Sequence, residues 1–520
     1  MSNKQCQQCH NNFQMYPEDL EFYQRIKVPE PTLCPDCRQQ RRLAFRNERK
    51  LYHRKCDLCK KSIISIYSAD KPYTVYCLNC WWGNSWDATD YGQDFDFSRP
   101  FFEQYKELLE RVPTLSLQNK NCENSEYGND CDDLKNCYLL FNSEKCEDSY
   151  YCTILGFSKS CVDCFWCLNC ELCYEGVKLD HCYSSFYCFN SNNLDSCILC
   201  HNCRNLKNCF GCINLSYKEY CIFNEQYTKK EYIKKIKNLK LDRKKIQIFF
   251  NKHPYRNLNT ITSEDCIGDF LNHCKRCIDC YDMIESENCR YVWDGNMNDS
   301  YDCSNVGLKS TLGYEAAYCY RFTNINFSFK DSGGHDNKYN YLCYNSHDNF
   351  GCVSLEQNRY CILNKQYSEE SFFKLKAKII EHMKRTGEYG EFFPIAISPF
   401  AYNETLAQEY FPLTQKQVLK NGWQWKDDEK QIIDRNLPVC ISCHKNFRII
   451  PQELKFYQKQ NISEPKKCSD CRHEERINIR NPRKIWNRKC VKCYKEIKTT
   501  YAPDRPEIIY CEECYNKEIY

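Results

Sequence analysis

The sequence predicts a mainly β chain in which two terminal double zinc-ribbon modules flank a Cys-rich β-solenoid of about 15 residues per coil with helical inserts. Three observations predict it. CxxC pairs gather at both ends, the two sets are related by a fixed offset of 434, and cysteine recurs on a short period through the middle.

The first set is Cys6, Cys9, Cys34, Cys37, Cys56, Cys59, Cys77 and Cys80; the second is Cys440, Cys443, Cys468, Cys471, Cys490, Cys493, Cys511 and Cys514. Each member of the second is its counterpart plus 434, with no insertion between the copies, and such self-similarity marks a repeated structural unit. Each module is two CxxC…CxxC units in series, with loops of 24 and 17 residues. A CxxC turn places two thiolates on one tetrahedral metal, and a second CxxC from a distant loop closes the shell. Four soft thiolates suit zinc, and a rubredoxin-like iron uses the same ligands. Four Zn ions are therefore expected. Adjacent pairs are expected to share an ion, and an interleaved cross-brace would use the same residues. The strings CQQCH, CISCH and CILCH match the haem-attachment pattern. The first two lie inside the metal repeat, so haem is rejected and His10 and His444 are read as flanking hydrogen-bond donors.

The stretch CQQCHNNFQMYPEDLEFYQRIKVPEPTLCPDCRQQRR resembles the zinc-ribbon domain of small bacterial proteins, and CISCHKNF…LKFYQ…EPKKCSDCRHEER matches the same pattern. The longer run RNERKLYHRKC…IISIYSADKPYTVYC…YGQDFDFSRPFFEQ, with EYGEFFPIAISPFAYNETLAQEYFPLT, is similar to large uncharacterised zinc-ribbon proteins of candidate-phyla bacteria and of some giant viruses. The resemblance covers nearly the whole chain. It implies an architecture and no established activity; a CoA-transferase-like label carried by some relatives finds no supporting residue here.

Mean hydropathy of −0.75 and the absence of any run of roughly 18–20 apolar residues argue against a membrane protein. MSNKQCQQCH has no apolar signal region, so the expected compartment is a reducing cytoplasm. There, 44 cysteines read as metal ligands and buried thiols rather than disulfides. Charge is unevenly placed. Residues 1–85 carry 14 Lys/Arg against 8 Asp/Glu (+6), residues 438–520 carry 18 against 11 (+7), and the middle carries 41 against 50 (−9). A basic stripe follows the second CxxC of each module: Arg38, Arg42, Arg46 and Arg49, matched by Arg472, Arg476, Arg480 and Arg483, with Lys55 and Lys489 beside the next CxxC. Helical spacing puts the arginines on one face. Such a face could track phosphates; the alternative is a solvated face or pairing with carboxylates.

From Cys122 to Cys221, all eighteen cysteines fall in one register of three, and Cys122, Cys137, Cys152, Cys167, Cys182, Cys197 and Cys212 recur every fifteen residues. A period this short points to stacked β-coils, because helical repeats need about 34 residues or more. Cys, small and nearly apolar, fills a thin coil where larger residues would not fit. A register of three is not the alternation of a plain strand. The rival reading of CVDCFWCLNCELC is an iron–sulfur motif, but its cysteines obey the same register as the whole ladder. A second segment repeats the first at an offset of 140: Cys212 and Cys221 become Cys352 and Cys361, and each copy ends in YCI-x-N-x-QY before a Lys-rich helical pattern, near 228–247 and 368–386. These helices are expected to cover the coil ends. DSGGHDNK at Asp331 reads as a loop.

The expected organisation is a double ribbon over 1–85, a connector with an amphipathic helix over 86–117, solenoid segments over 118–224 and 260–364, a basic helical insert over 225–259, a helix with an aromatic, Pro-containing strap for the C-terminal ribbons over 365–437, and a second double ribbon over 438–520. The functional expectation is a zinc-binding structural or interaction protein whose partner the sequence does not name. A nucleic-acid binder using the basic ribbons is the alternative. No membrane or small-molecule cofactor is evident. An enzyme is the weakest reading, because closed four-thiolate zinc leaves no position for water. Asp94, Asp96 and Arg99 are the one compact polar cluster, and Ser98 is expected to cap the following helix.

Overall fold

The computed structural model describes residues 2–239, 242–317, 319, 322–329, 333–427 and 436–519, apart from the side chains of 306 and 308. It is mainly β, with a Cys-rich solenoid between terminal four-cysteine clusters. Among the described residues, no helix is long and apolar enough to cross a membrane.

The coil holds twelve residues, not the expected fifteen. Phe141, Thr153, Phe165, Val177 and Phe189 pair in parallel at intervals of twelve, and bridges such as Glu123↔Lys135↔Glu147↔Lys159 keep the same interval on another side. Each coil is four triplets. From Asp130 to Phe223, every third residue has a positive φ of 46–62°. The next residue points inward and the third forms the parallel bridge. This turn at each corner explains why cysteine recurs every three residues. Fifteen is one coil plus one triplet, so the Cys122, Cys137, Cys152 ladder spirals round successive sides and never stacks. The left-handed region costs an L-residue about 1–2 kcal/mol, least for Asn and Asp. Asn136, Asn142, Asp148, Asp163, Asn169 and Asn190 are among those that occupy it.

Inward side chains also do hydrogen-bonding work. Cys137 Sγ shares its one proton between the carbonyls of Lys135 (3.3 Å) and Cys146 (3.5 Å). The inward residue one coil on has an N–H with no place in the ladder, and the inward oxygen or sulfur accepts it. Cys161 N donates to Ser149 Oγ at 3.1 Å, and Cys164 N to Cys152 Sγ at 3.3 Å. Cys and Ser are therefore interchangeable here, being small and able both to donate and to accept. In the second segment Asn does the same: Asn340 Oδ1 accepts from Cys352 N at 2.9 Å, and Asn349 Oδ1 from Cys361 N at 2.9 Å. Replacing Ser149 by Ala is expected to leave the Cys161 N–H buried and unpaired, at a cost of about 1–3 kcal/mol, whereas Ser149→Cys is expected to cost less than about 1 kcal/mol. Urea unfolding at saturating zinc measures both.

The second segment departs from twelve between Thr260 and Ala317, where pairings such as Thr260↔Leu271 and Tyr301↔Tyr314 are eleven or thirteen residues apart. It returns to twelve from Thr311↔Thr323 onward. Of the expected DSGGHDNK loop, Asp331 and Ser332 lie outside the described residues, and His335–Lys338 already belong to a coil, with His335↔His347 and Lys338↔Phe350 paired.

The YCI-x-N-x-QY motif ends each segment. Phe223 and Asn224, and likewise Leu363 and Asn364, have positive φ and close two-residue hairpins, as such turns require. The Asn then imitates a further coil. Asn224 bonds both the N–H (2.9 Å) and the carbonyl (3.0 Å) of Ile213, and Asn364 bonds both groups of Val353 at 2.8 Å. Helices follow at Lys229–Ile236 and Arg243–Phe250 after the first segment and at Glu369–Thr386 after the second. The amphipathic connector forms Phe101–Arg111, capped at Pro100 rather than at Ser98. Ser98 instead donates to Asp96, and the Glu388 carboxylate takes the Phe101 and Phe102 N–H groups at 2.9 and 2.8 Å.

The chain divides into two compact units, each interleaved in sequence. One comprises Met1–Ser116, Leu258–Lys426 and Arg483–Ile485; the other comprises Leu117–Asn257, Asp427–Pro482 and Trp486–Tyr520. Each contains one terminal module and the solenoid segment from the opposite half of the sequence. The aromatic strap was expected to hold the C-terminal ribbons; in its own unit it holds the N-terminal module. Tyr402 accepts from Gln40 at 2.7 Å, Ser398 donates to the Ala44 carbonyl at 2.7 Å, and Glu391 accepts from the Thr32 N–H and hydroxyl at 2.6 Å.

Candidate metal centres

The chain brings its sixteen terminal cysteines together in four sets: Cys6, Cys9, Cys34 and Cys37; Cys56, Cys59, Cys77 and Cys80; Cys440, Cys443, Cys468 and Cys471; and Cys490, Cys493, Cys511 and Cys514. Within each set the sulfurs all lie within 4.8 Å of one another. Adjacent CxxC pairs share a site, so the interleaved cross-brace does not occur. The fit to a metal is quantitative. Sulfurs bonded at about 2.3 Å to a tetrahedral ion stand about 3.8 Å apart. Sulfur contacts between knuckles include 3.7 Å (Cys9–Cys34), 3.8 Å (Cys59–Cys77), 3.6 Å (Cys443–Cys468) and 3.8 Å (Cys493–Cys511).

Local backbone builds these sites. Each first CxxC is a tight knuckle closed by a left-handed residue: His10, Lys60, His444 and Tyr494, with φ of 60–61°. The N–H of each bonds the carbonyl of the first cysteine, at 2.9–3.0 Å. His10 and His444 are exposed, and Lys60 and Tyr494 serve equally well at the same position. The histidines are there for backbone conformation, not to bond the thiolates. Each second CxxC starts a helix: Cys34, Cys77 and Cys468 are the N-caps of Pro35–Leu43, Leu78–Trp81 and Ser469–Ile479. Although burial pushes the Cys56, Cys440 and Cys490 thiols up, backbone N–H donors outweigh it and pull them down to about 7, 6 and 6. One thiolate in each of these three sets is thereby favoured, while neighbours are pushed up, Cys80 by the adjacent thiols, Cys468 and Cys511 by burial and by the adjacent thiols.

The helices Pro35–Leu43 and Ser469–Ile479 carry Arg38 and Arg42, and Arg472 and Arg476, of the stripe expected to track phosphates, and they bury them. Arg38 and Arg42 are each 1% exposed, Arg46 3%, Arg472 6% and Arg476 3%. The guanidiniums of Arg38, Arg42, Arg472 and Arg476 face carboxylates of the solenoid segment in the same unit. Arg38 Nε donates to Asp302 at 2.9 Å, and Arg42 reaches Asp302 at 3.4 Å and Glu315 at 3.1 Å. Arg41, outside the expected stripe, bridges Glu315 (2.6 Å) and Glu391 (2.7 Å). In the other unit, Arg472 pairs with Asp163 and, at 3.0 Å, with Glu453, and Arg476 meets Asp163 at 2.7 Å. Arg38 stands over the Tyr291 ring at 5.3 Å, as Arg472 stands over Tyr151 at 4.7 Å. The two docks thus use matching residues. Of the remaining arginines, Arg46 pairs with Glu48, and Arg480 lies over Phe165 and Trp166 at 5.0 and 5.5 Å. Arg483 meets Asp282 at 2.6 Å and Asp294 at 2.9 Å, and Arg49 is partly exposed.

Burial works against the charge on Arg38, Arg41, Arg472 and Arg483, but the facing carboxylates outweigh it and hold each guanidinium firmly protonated. Sequence reasoning missed the carboxylates. Asp163, Asp282, Asp294, Asp302 and Glu315 all occupy left-handed corners, with φ of 48–60°, where a side chain projects outward from the coil. The only signal for them was the −9 of the middle against the basic ends.

The Asp94, Asp96 and Arg99 cluster separates. Asp94 pairs with Lys365 at 2.7 Å and accepts from Tyr367, Asp96 holds Ser98, and Arg99 pairs with Glu103 and Glu107. Solenoid cysteines such as Cys161, Cys164, Cys167, Cys170 and Cys173 sit on successive sides of the coil, buried, with the sulfurs of Cys161, Cys164, Cys167 and Cys173 each within donating reach of two backbone carbonyls. Among the described residues, no solenoid cysteine belongs to a group of three or more ligand atoms within 4.8 Å. No family model matches the chain, and no curated protein matches it either.

Proposed function

We propose that this protein is a zinc-stabilised scaffold, in which each double ribbon is a metal-clamped clip on a solenoid segment and the outer faces of the coils meet a protein partner. One observation carries the reading: the helices Pro35–Leu43 and Ser469–Ile479, one in each unit, bury their arginines against corner carboxylates of the chain's own solenoid. The zinc then acts through structure. A closed thiolate shell leaves no coordination position for water or substrate. The faces left for a partner carry ladders of alternating charge, such as Glu123, Lys135, Glu147, Lys159 and Glu171, which suit a patterned protein surface better than a polyanion.

The alternative, a nucleic-acid partner gripped by the ribbons, makes the opposite prediction for the same arginines. Retention of labelled RNA and DNA by the full chain at low salt is expected to be unchanged when Arg38 and Arg476 are replaced by Met. A retained fold with binding reduced about tenfold or more by these replacements would favour the nucleic-acid reading.

A further inference from the structure

We propose that the second solenoid segment carries a metal site separate from the cysteine clusters, formed by His335, His347 and Asp348, that takes a divalent transition cation of borderline softness such as Zn2+, Ni2+ or Cu2+. One ligand atom from each of the three lies within 4.8 Å of the others. The two imidazoles stack one coil apart, with centroids 4.6 Å apart and planes 13° from parallel. His335 Nδ1 lies 3.1 Å from Asp336 Oδ2, and His347 Nδ1 lies 3.0 Å from Asp348 Oδ2. Asp336 on His335 Nδ1 fixes that tautomer and leaves Nε2 to bind the ion, the arrangement seen around metal-bound imidazoles, whereas Asp348, itself a ligand, exchanges its contact with His347 Nδ1 for the ion. The side chains are 53%, 34% and 20% exposed for His335, His347 and Asp348. Metal uptake turns the partly exposed rings out of these contacts and brings their nitrogens to the roughly 3.4 Å separation of a tetrahedral shell. Two nitrogens and one carboxylate oxygen leave a position open to water, unlike the closed thiolate sites.

The rest of the molecule shows that this pair is unusual. Along the same column of bridging positions, charge alternates: Glu123, Lys135, Glu147, Lys159, Glu171 in the first segment, and Glu264, Lys275, Glu287 in the second. Each step there pairs opposite signs, as Lys159 does with Glu147 at 2.9 Å and Lys275 with Glu264 at 3.0 Å. At the 140-residue offset, His335, His347 and Asp348 replace Asp195, Lys207 and Asn208, and Asp195 and Lys207 form an ion pair of 3.3 Å. The second copy has thus replaced a self-satisfied ion pair with two like groups, each able to ligate. The neighbouring cations include Arg359, turned over the Tyr360 ring at 5.5 Å, Lys338, which is coupled electrostatically to Asp336, and Lys376, which is coupled to Asp348 and Asp336. Lys376 therefore competes with the metal for these carboxylates.

The test is equilibrium dialysis of full-length, zinc-replete protein against free Zn2+, with metal per chain read by elemental analysis. Wild type is expected to take up one ion beyond those held by the cysteines. The double variant His335→Ala, His347→Ala loses it, and Asp195→Ala with Lys207→Ala, at the matching place in the first segment, keeps it. Asp348→Asn, which preserves the surface, weakens uptake about tenfold or more, and Lys376→Met strengthens it. If wild type takes up no additional ion, or the ion persists in both His335→Ala, His347→Ala and Asp348→Asn, the site does not exist. Because the comparison is between variants, it stands whatever the count at the cysteine clusters.

Discussion

Stripping metal from the reduced, full-length chain is expected to unfold both terminal modules and release the arginine helices from the solenoid segments they hold. A structural zinc site contributes about 10–16 kcal/mol of apparent binding free energy at neutral pH, and that energy is folding energy. Of the cysteine ligands, Cys6, Cys56, Cys440 and Cys490 are fully buried, around short strand pairs of four residues such as Tyr52–Lys55 with Ser62–Ser65 and Trp486–Lys489 with Glu496–Thr499. Cys471 shows the coupling most directly, because Arg472 follows it on the same helix and reaches Asp163 and Glu453. Cys471→Ser is expected to remove one ion of four and make residues 438–480 sensitive to protease, while the solenoid strands of the same unit stay protected from hydrogen exchange. An unchanged proteolytic pattern after the ion is lost would show that the ribbon folds without it.

Replacing Arg472 by Met is expected to destabilise its unit by about 3–5 kcal/mol, the cost of leaving buried carboxylates uncompensated. Asp163 and Glu453 are fully buried, and Tyr151 and Tyr457 also donate to Glu453, at 2.7 Å each. The loss comes from stranded charge rather than from the pair's own strength, so adding Asp163→Asn and Glu453→Gln is expected to recover at least half of it. Urea unfolding at saturating zinc measures the series. Arg472→Met and Cys471→Ser should combine to less than the sum of their separate effects, because both release the same helix.

The cysteine ligands and the solenoid were legible because spacing encodes them. A CxxC pair states its chemistry locally, and an inward residue every third position leaves a period that survives substitution by Ser, Leu or Gly. The coil length was not legible. Any multiple of three preserves the register, and cysteines one coil apart, such as Cys161 and Cys173, are interrupted in the same column by Ser149 and Ser185, which serve as well. The dock was half visible. The arginines stood out by their helical spacing, but Asp163 and Asp302 are single corner residues hundreds of positions away, among many Asn and Asp that favour the same left-handed backbone. Ser98 misled for a related reason: it has the right chemistry for a cap, yet the Phe101 and Phe102 amides are taken by Glu388, which no local pattern announces. The interleaving of each terminal module with the opposite solenoid segment depends on the same distant pairs.

X-ray absorption at the zinc edge, on extensively dialysed full-length protein with metal content measured in parallel, tests the central claim most directly. Four tightly held ions per chain, each with an all-sulfur shell at about 2.3 Å, are predicted. Fewer than four, or a shell in which nitrogen or oxygen replaces sulfur in the tightly held ions, would contradict it.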